Sequence, residues 1–312
     1  MKPSGRAGVQ PATPALPTRI GWQGIRFNAP PDWFLKGYSG DWREGFLQVG
    51  SPHSAEIDLK WTRSRRKTDL TYVLQQFLHK LERAKNKAKH PFTGTLHPVD
   101  EHQIEFRWRS DERAVGRIIR YPEHHTIVLI QLRSASKHDA LHQLARPVFD
   151  SLEVAPDPDG WIEWSLYGLH TAAPAKFRLE KAQVLTGHTR LSLRWREERL
   201  IIERIARAEQ LMKGYDLSEW ADHWLRWRHW RGVREPFQWG DHDTGVHLRT
   251  RSPAGALLAE VLLTPLRLRL PAWRVRAVAW LCRARNTVFH IQHYAARDSN
   301  LLEEVMARTV CC

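Results

Sequence analysis

The sequence predicts an α+β fold built as two tandem repeats, each an antiparallel sheet covered by helices. Two observations carry this. The segment Gly24 to Leu35, GIRFNAPPDWFL, recurs as Gly168 to Leu179, GLHTAAPAKFRL, 144 residues further on (168 against 24). Within each copy, short runs of alternating apolar residues are interrupted once by a run with helical spacing. A period this long is a duplicated domain, because solenoid units repeat at roughly 20 to 50 residues.

The elements of the first copy follow in order. Ile25 and Phe27 alternate before Ala29-Pro30-Pro31, a short strand ended by proline. Gly45 to Val49 and Glu56 to Thr62 predict two strands around the Gly50-Ser51-Pro52 turn. Thr68 or Asp69 then caps a helix whose apolar residues Leu70, Val73, Leu74, Phe77, Leu78 and Leu81 recur at three and four. Ile104 to Trp108, Val115 to Ile118 and Ile127 to Leu132 predict three more strands, with Tyr121 to His124 as a hairpin corner. A closing helix from about Ser136 places Leu141, Leu144, Ala145 and Val148 on one face.

The second copy repeats this order with a drifting offset. Ile57 to Arg63 falls on Ile201 to Arg207, Asp69-Leu70 on Asp216-Leu217, and Phe106 to Ser110 on Leu248 to Ser252. Arg113-Ala114-Val115 falls on Arg276-Ala277-Val278, Thr126 to Gln131 on Thr287 to Gln292, and Ala145 to Val148 on Ala307 to Val310. This alignment sets Trp220 and Trp224 on the helical core positions Val73 and Phe77, and Cys311 on Phe149 at a helix end. The expected organisation is a mobile Pro/Gly-rich tail at 1–19, a first unit at 20–154, a linker at 155–160, and a second unit at 161–312, each unit burying its own core. The second unit carries an insert near 255–272, where Leu266 to Leu270 alternates leucine with Arg267 and Arg269.

The strand order and the Gly24-Ile25-x-Phe27-x-Ala29-Pro30-x-x-Trp33 element resemble the PsbP-like fold. That fold is shared by the extrinsic photosystem II subunit, the nuclear-import factor that binds the GTPase Ran, and DcrB-type bacterial lipoproteins. The resemblance covers about residues 20–154 and 161–312. It implies a binding module without a shared catalytic set, and it carries over no functional residue.

Composition bounds function further. The chain of 312 residues has a formal charge of +14 and three cysteines. So few cysteines argue against a disulfide-stapled secreted domain and predict a cytoplasmic protein. No stretch approaches the ~18 uninterrupted apolar residues of a membrane span. The basic excess is +3 over residues 1–19, +5 over 20–154 and +6 over 155–312, so no segment declares itself a nucleic-acid-binding tail.

Three constellations invite chemistry. Trp227 and Trp230 align with Lys80 and Arg83, outside the predicted apolar face, and with Arg226, Arg228 and Arg231 they form the best candidate binding surface. His138 and His142 share a helix face at i and i+4, as in metal-binding helices, but with aspartate at the base position and no third ligand in view. Of Cys311 and Cys312, Cys311 is expected to replace Phe149 as a small buried apolar residue and Cys312 to stay accessible, rather than the pair holding a metal.

The expected function is that of a non-enzymatic, cytoplasmic binding or assembly protein without a cofactor. It would recognise an unknown protein partner through the groove between the units and the second-unit insert, with Arg267 and Arg269 on that surface. The alternative is a nucleic-acid or anionic-surface binder using Trp227, Trp230 and the basic run Arg63-Ser64-Arg65-Arg66-Lys67. A third reading is a metal-dependent hydrolase at His138 and His142.

Overall fold

The computed structural model describes residues 17–51, 55–65, 68–137, 139–156, 159–225, 232–239, 243–250, 274–296 and 299–310. The first half runs β1 (Thr18–Trp22), β2 (Ile25–Ala29), β3 (Phe34–Gly40), β4 (Glu44–Gly50), β5 (Glu56–Arg63), α1 (Leu70–Lys87), β6 (Thr93–Pro98), β7 (Gln103–Arg109), β8 (Arg113–Tyr121), β9 (Thr126–Ser134), α2 (Leu141–Asp150) and β10 (Glu153–Val154). The second half runs β11 (Trp161–Leu166), β12 (Leu169–Pro174), β13 (Arg178–Val184), β14 (His188–Trp195), β15 (Glu198–Ala206), α3 (Ala208–Leu211), α4 (Leu217–Trp224), β16 (Gly232–Trp239), β17 (Asp243–Thr250), β18 (Arg274–Cys282), β19 (Thr287–Ala295) and α5 (Leu301–Ala307).

The fold is α+β, with antiparallel strands in three sheets. One seven-stranded sheet has the order β3-β4-β5-β9-β8-β7-β6, and the other has the corresponding order β13-β14-β15-β19-β18-β17-β16. The third, β10-β2-β1-β11-β12, takes strands from both halves. Its two hairpins close through two-residue turns, Gln23-Gly24 and Tyr167-Gly168, in which all four residues have positive φ. This is the primed turn whose twist matches the flanking strands, and glycine at its second position carries no Cβ penalty.

The strands β1 and β11 join the halves, with Gly21 opposite Ser165. Arg19 grips Glu163 with two guanidinium nitrogens at 3.0 and 3.1 Å, a pair 144 positions apart. Tyr38 donates to the carbonyl of Ala182 at 3.0 Å, again 144 positions apart. Trp22 packs edge-on to Trp164 with centroids 5.4 Å apart. The expectation of two separate cores is corrected accordingly. One buried cluster runs through both halves, from Ile20, Trp22 and Phe27 to Trp164, Phe177 and Trp280. Each seven-stranded sheet turns its other face to a smaller cluster of its own. Leu70, Leu74, Phe106 and Trp108 lie under α1, and Trp220, Ala221 and Leu248 lie at α4.

Asp69 caps α1 by accepting from the Thr71 and Tyr72 amides, and Asp216 forms a capping box with Glu219 on α4. Both caps stand where the sequence put them. The helices behind them differ, α1 having 18 residues and α4 having 8. Trp224 consequently lies at the last turn of a short helix, 55% exposed, and does not share the site of Phe77, which is half-buried against the cluster under α1. Phe77 packs edge-on to Phe106 at 5.9 Å. Trp224→Ala is therefore expected to change stability by less than about 0.5 kcal/mol and Phe77→Ala to cost about 3 kcal/mol. Equal losses in denaturant titrations would contradict the difference.

Other expectations are corrected by the ladder. Thr18 and Arg19, assigned to the tail, belong to β1. The strands β1, β3 and β6 were not foreseen, and α2 begins at Leu141 rather than near Ser136. Gly50 pairs with Glu56 where Arg194 pairs with Arg199, so β5 and β15 correspond one residue away from the sequence alignment. A one-residue slip exchanges the two faces of a strand. Arg113 faces Ser134 and Arg274 faces Ala295, which matches Arg113 with Arg274 rather than with Arg276. Near the end of the chain, α5 stops at Ala307 and Val310 bridges His170. That is the place Glu153 takes beside Arg26, so Val310 corresponds to Glu153 rather than to Val148. Cys311 and Cys312 themselves lie outside the described residues.

Candidate functional site

The two seven-stranded sheets differ on the faces turned toward α1 and α4. In the first half, Phe46, Lys60 and Leu129 stand side by side across β4, β5 and β9. The Lys60 ammonium lies 5.3 Å from the Phe77 ring of α1 and 6.0 Å from the Phe46 ring. The corresponding row across β14, β15 and β19 is Arg190, Glu203 and His290. Here Glu203 is 4% and His290 is 2% exposed. The Glu203 carboxylate accepts from His290 Nδ1 at 2.6 Å and meets His188 Nε2 and Arg190 Nη1, each at 3.2 Å. Burial alone would raise this carboxyl. The hydrogen bonds from His188 and His290, with the charges of His290 and Arg190, outweigh it and hold the carboxyl well below the usual range.

Burying such a group is costly unless its partners are in place, and the first half shows that the same sheet positions are filled by Phe46, Lys60 and Leu129. The charged row sits at the floor of a cavity of about 1000 Å³, which opens where the short α3 and α4 replace the long α1. Ile205, Leu211, Trp220 and Leu225 form its apolar wall, and Arg207 and Gln210 stand at its rim with Trp224. Trp220 is 1% exposed, and its indole N–H has no hydrogen-bond partner among the described residues. Burial pushes the Tyr294 hydroxyl, also on the lining, above its ordinary value.

The residues selected from sequence are placed differently. Arg226, Trp227, Arg228, Trp230, Arg231, Arg267 and Arg269 lie outside the described residues, as does His138. His142 is on the exposed face of α2, and no group of three metal-ligating side chains occurs among the described residues. In the basic run, Arg66 and Lys67 are outside the described residues. Arg63 is turned inward. It donates to the carbonyls of Trp42 and Gln23 and stacks 3.6 Å from the Trp42 ring, with Arg178 at 3.8 Å from the same ring. Two guanidiniums cannot share one face at these distances, so Arg63 of the first half and Arg178 of the second clamp Trp42 between them. Burial and then Arg178 push the Arg63 guanidinium down to about 10, still cationic at neutral pH, but its donors are engaged by the Trp42 and Gln23 carbonyls and its face by the Trp42 ring, which corrects its place among candidate phosphate contacts.

The Glu203 row was overlooked, although a signal existed. Leu129 in the apolar first-copy strand aligns with His290, and Glu203 interrupts the run Leu200-Ile201-Ile202. A charge and a histidine entering the most apolar strands of a pattern mark a buried polar site.

No family model matches the chain, and no curated protein matches it. Among solved structures, the chain is similar to cyanobacterial PsbP (CyanoP) from Synechocystis sp. PCC 6803, with 14% identity and a TM-score of 0.34, over 47% of this chain and 98% of that one. It is also similar to the Saccharomyces cerevisiae Ran-binding protein Mog1p, with 12% identity and a TM-score of 0.31, over 42% of this chain and 90% of that one. Both have the PsbP-like fold that the sequence resembles. Among the described residues, no helix is long and apolar enough to cross a membrane.

Proposed function

We propose that this chain is a binding protein rather than an enzyme, recognises another protein through its second half, and works in the cytoplasm. The observation that carries this is the asymmetry between the halves, an open cavity with a buried, charged floor in one and, at the corresponding sheet positions of the other, an exposed Lys60 between Phe46 and Leu129. Glu203 supports a binding role in particular. Its oxygens are engaged by three neighbouring side chains that hold it ionised, which suits a fixed part of a recognition surface and does not suit a proton donor. From the sequence alone, we also propose Arg226, Trp227, Arg228, Trp230 and Arg231, with Arg267 and Arg269, as residues that contact the partner. We also infer that the halves, about 20–154 and 161–312, descend from one duplicated unit. The corresponding sheet orders, the paired two-residue turns and the contacts between residues 144 apart support this.

A photoreactive residue placed at Gln210, on the cavity rim, should capture a discrete protein from native lysate. The same residue at Thr95 on β6 of the first half should not. Equal capture at both positions would remove the second half as the recognition surface. Capture of nucleic acid at Gln210, with affinity falling steeply with salt, would favour the polyanion reading instead.

A further inference from the structure

We infer that the cavity beneath α3 and α4 takes an apolar anchor side chain, aromatic or large aliphatic, from an acidic segment of the partner protein. This rests on the protein-partner reading above and names the chemistry of its central contact.

The lining sorts into three parts. Its wall of Ile205, Leu211, Trp220 and Leu225 offers apolar surface to a side chain of matching character, which is where binding energy concentrates in protein interfaces. The Trp220 indole N–H, buried and without an acceptor among the described residues, asks for a carbonyl or carboxylate oxygen from whatever enters. The charges select the sign of the occupant. Glu203 is already matched by Arg190, His188 and His290, so an entering cation would have to displace one of them. Arg207 is exposed at the rim, has no carboxylate partner among the described residues, and is held there by a left-handed backbone at φ 60°. The remaining charge of the lining is positive, in a chain carrying +14 overall, so an acidic segment is complementary at short and long range. Trp224 decides between a free small acid and a peptide. It is 55% exposed at the mouth, and an occupant that continues past the cavity over the rim would cover this apolar surface, which a small acid confined to the cavity would leave bare.

The test uses the full chain and short fluorescent peptides, each with a central phenylalanine flanked by glutamates, read by fluorescence anisotropy. The phenylalanine peptide should bind. Replacing its phenylalanine by alanine, or its glutamates by lysines, should each weaken binding about tenfold or more. On the protein, Trp224→Ala and Arg207→Glu should each lower affinity about tenfold while circular dichroism stays unchanged. Trp220→Phe keeps the packing and removes only the N–H, so it should cost about fivefold. Equal binding of the lysine peptide would overturn the acidic class, and equal binding of the alanine peptide would overturn the anchor. Naphthoate binding as tightly as the peptide, unaffected by Trp224→Ala, would make this a small-molecule site and overturn the peptide. If Gln210 captures a protein that the acidic peptide does not displace, the anchor is wrong and the protein-partner reading stands. If Gln210 captures nothing and no peptide binds, both fall.

Discussion

Replacing Trp22 by alanine is expected to destabilise the whole chain by about 3 to 5 kcal/mol, in one transition rather than two. Trp22 is 1% exposed and belongs to the first half by position, but its ring lies 5.4 Å from Trp164 of the second half and 5.1 Å from Tyr38. The buried cluster around it is continuous through both halves, so an emptied indole site removes contacts from both. Differential scanning calorimetry reads the result directly. Two peaks, with only the first displaced, would mean that the halves unfold independently. The Trp22 indole N–H has no partner among the described residues, so Trp22→Phe removes an unsatisfied donor together with some volume. It should therefore cost much less, about 1 kcal/mol.

The second large effect belongs to Glu203. Glu203→Gln should cost about 3 kcal/mol at neutral pH, because the neutral amide leaves His290 and Arg190 facing a group that no longer carries their countercharge. The carboxyl is held below the ordinary 4.5 in the folded chain. A group depressed in this way contributes stability that is complete above its unfolded value, and that stability drains away as pH falls toward the folded value. The native protein should thus lose stability below about pH 4.5 faster than the variant does, and the gap between them should narrow. Urea midpoints at pH 7 and pH 3.5 provide the comparison. An equal gap at both would show that the charge of Glu203 does not stabilise the fold.

Much of the architecture is legible in the sequence, for reasons tied to particular residues. The recurrence of Gly24 to Leu35 at Gly168 to Leu179 marks the same hairpin twice, because a two-residue primed turn needs its glycine and the strand after it runs to proline, β2 before Pro30 and β12 at Pro174. Asp69 and Asp216 announced both helix starts through side chains that act locally. What stayed hidden depends on contacts between distant residues. Arg19 and Glu163 form one bidentate pair across the halves, and nothing local to either residue points to the other. Trp224 has helical spacing from Trp220 but lies on the last turn of a helix too short to cover it. The candidate site was half legible. Glu203 and His290 stood out against the apolar strands around them, but only the pairing of β15 with β19 makes them neighbours.

The seam between β1 and β11 also sets an order of events during synthesis. The strand β1 leaves the ribosome well before β11, the one of its two ladder partners that lies 144 positions later, at the Arg19 to Glu163 spacing. Throughout that interval β1 has β2 on one side and a bare row of amides and carbonyls on the other, which is the edge most prone to pairing with a foreign strand. Such delayed, non-local closure slows folding and lengthens the exposure of the nascent chain. The first half therefore waits for the second to be made before its own central sheet can close, and chaperone dependence should concentrate in that interval.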